Sequence, residues 1–108
     1  MARLVGRTSN WYVYGVIRSY KDGRTQALAQ GTALKGIPAD VLRRAVNKLF
    51  LLHTVTRLED LRVPPGNRLE ALSGNRRGQH SIRVNDQWRI CFVWRSDGAD
   101  DVELVDYH

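Results

Sequence analysis

The sequence predicts an α+β fold, in which a short N-terminal strand and two helices pack on a mostly antiparallel sheet of four to five strands. Two observations support this class. Apolar residues recur at helical spacing between residues 41 and 52, whereas the residues after 68 fall into short segments in which apolar and polar side chains alternate. A chain of 108 residues is long enough for one domain with a single core.

The first half of the chain supplies the short strand and the helices. Val16–Tyr20 alternates like a strand, and Asp22 can cap a short helix that ends before Gly31. Pro38 is expected at the first position of the main helix. The predicted core face of this helix consists of Val41, Leu42, Ala45, Val46, Leu49, Phe50 and Leu52.

The second half supplies the sheet. Thr56 and Glu59 have the spacing of a capping box for one further helical turn, and the prolines and glycine of Pro64–Asn67 form a strong turn signal. Strands are predicted at 69–72, 79–84, 88–94 and 102–107. The aspartate-rich residues 97–101 are expected to form a loop before the last strand.

The hairpin around Asn85 allows a prediction of register. A three-residue loop pairs Ile82 with Ile90 and His80 with Phe92, which keeps the apolar side chains on one face. The same register places Arg83 opposite Arg89, where two like charges destabilise a sheet by a few tenths of a kcal/mol to about 1 kcal/mol. An anion bound between the two arginines would explain the pair. The alternative is a solvated pair flanked by Asp86.

Composition limits the class of partner. The formal net charge is +6, and five of the eleven acidic residues lie after residue 96 with no basic residue between them, which leaves a strongly basic body suited to an anionic partner such as nucleic acid. No apolar run is long enough to cross a bilayer and no signal peptide is evident, so a cytoplasmic protein without membrane contact is expected. Cys91 is a single cysteine and no histidines have ligand spacing, so we predict no metal and no cofactor.

The ionisable residues of the last forty positions fit metal-free RNA cleavage by attack of a ribose 2′-hydroxyl on the adjacent phosphate. Arginine cannot exchange protons near neutral pH but holds phosphate well. The predicted phosphate-binding residues are Arg68, Arg76, Arg77 and Arg83, with Arg89 beside the reacting group. The predicted proton-transfer residues are Glu70 and His108, and less readily Tyr107 and Asp106. His80 lies on the apolar face and is interpreted as a core residue.

Several motifs together resemble the HigB-like toxins of the RelE/ParE superfamily. They are Arg68-Leu69-Glu70-Ala71-Leu72, Gly74-Asn75-Arg76-Arg77-Gly78, the strand pair Ser81-Ile82-Arg83-Val84 and Trp88-Arg89-Ile90-Cys91-Phe92, and terminal Asp106-Tyr107-His108. The resemblance covers residues 16–108. It implies a RelE-like fold, cleavage of mRNA on the 70S ribosome, and neutralisation by a HigA-type helix-turn-helix antitoxin.

By position, the resemblance assigns Asp106, Tyr107 and His108 to the active-site triplet and Arg89 to an active-site arginine. Two positions depart from the family pattern. Some relatives have a histidine at the position of Glu70, and many have a lysine at the position of Ser73. Loss of that lysine removes a phosphate contact.

Residues 1–15 precede the position where relatives begin with methionine. Val16 is compatible with a GTG start codon, so Met1–Gly15 is expected to be a mis-assigned start or an artefact. The alternative is a genuine arm whose aromatic residues pack on the sheet edge or stack on bases.

The sequence leaves three functions open. The leading hypothesis is a ribosome-dependent endoribonuclease toxin. A second is a ParE-like toxin that inhibits DNA gyrase by binding, for which the terminal triplet has no catalytic use. A third is an RNA-binding relative whose catalysis is weakened by Ser73.

Overall fold

Four antiparallel strands form a sheet in which each strand lies beside its neighbour in the chain. The computed structural model describes residues 17–107, so the predictions for Met1–Gly15, Val16 and His108 lie outside the described residues. The strands are β1 (Glu70–Ala71), β2 (His80–Arg83), β3 (Trp88–Arg95) and β4 (Gly98–Asp106). With the two α-helices of the described residues, they confirm the predicted α+β class.

The helices begin close to their predicted positions. Helix α1 spans Gly23–Ala29, and Asp22 caps it as predicted, since its carboxylate accepts a 2.8 Å hydrogen bond from the backbone N–H of Thr25. Helix α2 spans Ala39–Thr54. Pro38 lies one residue before the expected position, because its ψ of 146° is extended rather than helical.

The predicted capping box is wrong. The turn that follows α2 is a 3-10 helix at Leu58–Arg62, preceded by Arg57 and without a side-chain cap. The turn instead contributes the fully buried Leu61 to the core. Burial of this leucine, rather than side-chain capping, therefore accounts for the position of the turn.

The core lies between the helices and one face of the sheet. Its fully buried side chains include Leu49 and Leu52 of α2, Ile82 of β2, and Ile90 and Phe92 of β3. Phe50 was predicted to belong to this face but is 52% exposed. One residue along a helix is a rotation of about 100°, which turns Phe50 away from the side occupied by Leu49.

The strand prediction fails mainly at the acidic residues. They belong to β4 rather than to a loop, because the hairpin turn lies at Ser96 and Asp97, which both have positive φ angles (48° and 74°). Asp100 lies within β4, where its carboxylate binds Arg18 and Arg95, both at 3.0 Å. Asp100 is therefore the shared acidic partner of a small ion-pair cluster.

The predicted N-terminal strand is present only as two isolated parallel bridges beside β4, which join Ile17 to Ala99 and Tyr20 to Val102. Asp101 lies between the bridged β4 residues with a φ of 53°, which interrupts regular pairing. The segment is also attached to α2, because the backbone N–H of Ile17 donates to Nδ1 of His53 at 3.4 Å.

The predicted hairpin register is confirmed, with His80 opposite Phe92, Ile82 opposite Ile90, and Arg83 opposite Arg89. Since side chains alternate along a strand, both arginines lie on the sheet face away from the core. Neither helix of residues 17–107 combines the length and the apolar character that spanning a bilayer requires.

Candidate active site

An open cleft of about 500 Å³ lies where β1, β2 and β3 meet the C-terminal end of β4. It is lined by Gly66, Arg68, Glu70, Arg83, Asn85, Asp86, Arg89 and Tyr107. Five predicted site residues are therefore brought together, although they come from four separate segments of the chain. Antiparallel pairing causes this convergence, because Glu70 lies opposite Ser81 and Arg83 lies opposite Arg89.

Arg89 is the most firmly held side chain of the cleft. Its Nε donates to Oγ of Ser81 at 2.7 Å, and Nη2 donates to the backbone carbonyl of Arg68 at 2.6 Å. The same Nη2 lies 3.6 Å from the Glu70 carboxylate, and only 12% of the Arg89 side chain is exposed. These contacts leave the Nη1 amino group without a hydrogen-bond acceptor among residues 17–107.

Arg83 has a separate acidic partner, since its guanidinium binds the carboxylate of Asp86. The solvated alternative is therefore correct in one respect, because Asp86 offsets part of the repulsion between Arg83 and Arg89. Asp86 is 99% exposed, however, and solvent screening weakens such a pair. Three arginines face two carboxylates in this cleft, so an anion is still attracted to it.

The end of β4 is attached to the β2–β3 loop. The backbone N–H of Tyr107 donates to the carbonyl of Gln87 at 2.5 Å, and Nε2 of Gln87 donates to Asp106 at 3.1 Å. Asn85 fixes this loop, because its side-chain oxygen accepts from the backbone N–H groups of Gln87 and Trp88, each at 2.8 Å. The Tyr107 ring centroid lies 5.9 Å from Cζ of Arg89, within range of a cation–π contact.

Asp106 and Arg76 lie outside the main cleft. They line a second depression of about 300 Å³, which shares Tyr107 with the first. Nη1 of Arg76 binds Gln79 at 3.0 Å and Glu103 at 3.2 Å, so a carboxylate already balances its charge. Arg77 is exposed and lines neither depression.

Sequence reasoning missed Glu103 and Ser81 as parts of this face. The signal for Glu103 was its register, since it lies opposite Cys91, whose neighbour in the sheet is Ser81. Ser81 and Cys91 are both fully buried although the helices cover the other face. Burial raises the pKa of the Cys91 thiol, which therefore remains protonated near neutral pH.

His80 behaves as a core residue. Its ring stacks on that of Phe92 with a centroid distance of 6.3 Å. Burial, with a smaller contribution from Arg62, lowers the pKa of the imidazole and favours the neutral form. Within residues 17–107, no three side chains of histidine, cysteine, aspartate or glutamate converge as metal ligands would.

The cleft can therefore bind a phosphate through guanidinium groups, accept a proton at Glu70 and donate one from the hydroxyl of Tyr107. Ser73 is exposed and lies outside both depressions, so the side chain at this position does not line the cleft.

Comparison with known proteins gives consistent results. A family model described as "RelE-like toxin of type II toxin-antitoxin system HigB" matches residues 16–108. Toxin HigB-1 of Vibrio cholerae is 47% identical over 71 residues, or 66% of this chain and 70% of that protein. Endoribonuclease HigB of Proteus vulgaris is 31% identical over 97 residues, or 86% of this chain and 100% of that protein. A chain in the YoeB-YefM complex from Staphylococcus aureus is 14% identical, with a TM-score of 0.47 over 85% of this chain and 97% of that one.

Proposed function

Because this chain belongs to the HigB-like toxins, the RelE-like toxins of type II toxin-antitoxin systems, we propose that it is an endoribonuclease that cleaves mRNA on the ribosome. The observation that carries the proposal is the setting of Arg89. This side chain lines an open cleft, is held by Ser81, the Arg68 carbonyl and Glu70 beside the Tyr107 ring, and has no acceptor for its Nη1 amino group among residues 17–107. A rigid guanidinium in such a setting stabilises charge that develops on a phosphate.

The proposed reaction needs no metal. The 2′-oxygen of a ribose forms a bond to the adjacent phosphorus while the bond from phosphorus to the 5′-oxygen breaks. The products are a 2′,3′-cyclic phosphate and a free 5′-hydroxyl. Glu70 accepts the 2′-proton, His108 donates a proton to the departing oxygen, and Arg83 and Arg89 hold the non-bridging phosphate oxygens.

Tyr107 and Asp106 support the end of the chain in this scheme. Both are attached to Gln87, and the Tyr107 ring lies against Arg89 in the lining of the cleft. Phosphate binding by Arg68 and Arg83 orients the RNA strand. Arg76 and Arg77 lie further along the basic surface, where they contact flanking nucleotides.

Two partners complete the proposal. The first is the 70S ribosome, which presents the mRNA in an extended form to the basic surface of the protein. The second is a HigA-type helix-turn-helix antitoxin, as expected for a toxin of this family. Binding of the antitoxin blocks the cleft or prevents access to the ribosome.

The test combines purified protein, a defined mRNA, and programmed ribosomes that are either present or omitted. We expect cleavage only with ribosomes, with 2′,3′-cyclic phosphate ends, and a fall of at least about 100-fold for His108→Ala or Tyr107→Ala at unchanged melting temperature. Lys35→Ala, on an exposed loop outside the cleft, is the control. Toxicity with a DNA-damage response and intact mRNA would instead identify a gyrase inhibitor, and cleavage equal to wild type in both variants would contradict the assignment of the triplet.

A further inference from the structure

Asn67 is a fully buried polar side chain in the loop that precedes the cleft. Its Nδ2 donates to the backbone carbonyls of Leu61 and Val63, at 3.1 and 3.2 Å, and its Oδ1 accepts from Nζ of Lys48. Every hydrogen bond of the side chain is therefore directed at fixing this loop and attaching it to α2. An amide buried in this way costs stability unless each group has a partner.

The residue after Asn67 contacts the cleft arginine directly. Arg68 adopts a left-handed conformation, with φ of 47° and ψ of 57°, which is uncommon for a residue with a side chain. In this conformation its carbonyl oxygen accepts the 2.6 Å hydrogen bond from Nη2 of Arg89. The carbonyl that orients Arg89 thus belongs to the residue that directly follows the buried Asn67.

Lys48 connects this loop to the main helix. Its ammonium group is partly removed from water, and burial lowers the pKa of the side chain. Hydrophobic residues on the same helix show that α2 needs no charge to pack against the core. A partly buried lysine therefore requires a reason other than helix packing, and its contact with Asn67 supplies one.

We propose that Lys48 and Asn67 are positioning residues for Arg89, acting through the backbone carbonyl of Arg68. Lys48 orients the Asn67 amide, the amide fixes the loop in the conformation that presents the carbonyl, and the carbonyl fixes the guanidinium plane. Neither residue lines the cleft. The kinetic part of this inference rests on the proposed ribonuclease function, whereas the structural part does not.

The test is a double-mutant cycle measured as single-turnover cleavage at saturating ribosome concentration. Lys48→Met keeps the length of the side chain and removes its hydrogen bond, and we expect the rate to fall roughly 10- to 100-fold with little change in apparent affinity. The same change in an Arg89→Lys background should lower the cleavage rate by less than about 2-fold, because this background has no guanidinium to position. Arg44→Met removes an exposed positive charge from the same helix and serves as the control, at unchanged rate.

A second measurement does not depend on cleavage. In the NMR spectrum, the Nε–H resonance of Arg89 should be slow to exchange in the wild type, and both shifted and faster to exchange in Lys48→Met. Lys48→Arg keeps a cationic donor for Asn67 and should restore most of the resonance position and of the rate. This variant also covers the case in which the methionine variant folds poorly.

The cleavage rates and the NMR spectrum distinguish failure of the positioning inference from failure of the proposed ribonuclease function. A loss of rate that is equal in the wild-type and Arg89→Lys backgrounds would reduce Lys48 to a general structural residue and overturn the inference, as would an unchanged Arg89 resonance. If the wild type cleaves no RNA, the proposed function fails and the NMR comparison alone decides the inference. A shifted, fast-exchanging resonance would then still support positioning of Arg89.

Discussion

The two ends of the hairpin formed by β3 and β4 both carry arginines, but they use them differently. At the closed end, Arg18 and Arg95 share the carboxylate of Asp100, and Arg18 also donates to the backbone carbonyls of Arg95 and Ser96. At the open end, three arginines line a cleft whose acidic members are Glu70 and the fully exposed Asp86. At the first end every nitrogen of the Arg18 guanidinium has an acceptor within the protein, whereas at the second Nη1 of Arg89 has none among residues 17–107.

This difference separates arginines that maintain the fold from arginines that are available to a ligand. A guanidinium has five N–H donors, so the useful criterion is how many of them the protein itself satisfies. Arg18 donates to Asp100 through Nε and Nη2, and it donates to the backbone carbonyls of Arg95 and Ser96 through Nη2 and Nη1. Arg89 is equally well oriented, but its Nη1 has no hydrogen-bond acceptor among the described residues. We therefore expect variants of the two ends to affect different measurements.

The largest effect is expected for Arg89→Lys. A lysine keeps the charge but cannot bind Ser81 and the Arg68 carbonyl while also contacting a phosphate. Single-turnover cleavage should fall about 100-fold, and the unfolding free energy should fall by about 1–3 kcal/mol because the buried Ser81 hydroxyl loses its partner. Retention of the wild-type rate would show that a positive charge alone is sufficient at the open end. The proposed difference between the arginines of the two ends would then be wrong.

The next effect is expected at the closed end, where Asp100→Asn should lower the unfolding free energy by about 1–2 kcal/mol at neutral pH and leave cleavage unchanged. The hydrogen bond from Arg18, helped by Arg95, lowers the pKa of the Asp100 carboxyl below its ordinary value of 3.8. A lowered pKa in the folded state gives stability that is complete above 3.8 and is lost as the pH falls through the folded value.

The melting-temperature difference between wild type and Asp100→Asn should therefore be constant above about pH 5 and should close in acid. Asp97→Asn, at the exposed turn of the same hairpin, is the matched control because Asp97 has no salt bridge with either arginine and acts on Arg18 only through a weaker Coulombic interaction. A melting-temperature difference that persists below pH 3 would mean that packing, rather than charge, accounts for the contribution of Asp100 to stability.

A smaller effect is expected for Arg83→Gln, which removes the more exposed arginine of the Arg83–Arg89 pair. Binding to single-stranded RNA should weaken several-fold at moderate salt, and the slope of log affinity against log salt should decrease by about 0.7, the value for one phosphate contact. Arg95→Gln at the closed end should leave this slope unchanged. Equal slopes for wild type and Arg83→Gln would contradict a phosphate contact at Arg83.

The smallest effect is expected for Ser73→Lys. The residue is exposed and lies outside the cleft lining, so an added lysine reaches the anion only through its flexible side chain. We expect the single-turnover rate to rise about two- to threefold, within the range of a screened charge. If ribosome binding tightens without a faster rate, the serine is not a catalytic deficit.

Sequence patterns predicted the local features of this fold better than its long-range contacts. The register that pairs Arg83 with Arg89 followed from alternation alone, because a shift of one residue would expose the core face. The start of β4 was missed because Asp100 has low strand propensity, and its preference is overridden by Arg18, which is distant in the chain, together with Arg95 across the hairpin turn. The pairing of Arg76 with Glu103 and the contact of Arg89 with the Arg68 carbonyl depend on tertiary placement, which no spacing rule encodes.

The parallel attachment of the N-terminal segment to β4 has a consequence for the order of folding. Arg18 and Asp100 are separated by 82 residues, so their contact requires closure of almost the whole described chain. The hairpin of β2 and β3 closes over three residues and can form early. The backbone amides of Arg18 and Lys21, which donate to β4, should therefore exchange with deuterium well before those of Ile82 and Ile90. Release of this segment would be the first step by which the native protein opens.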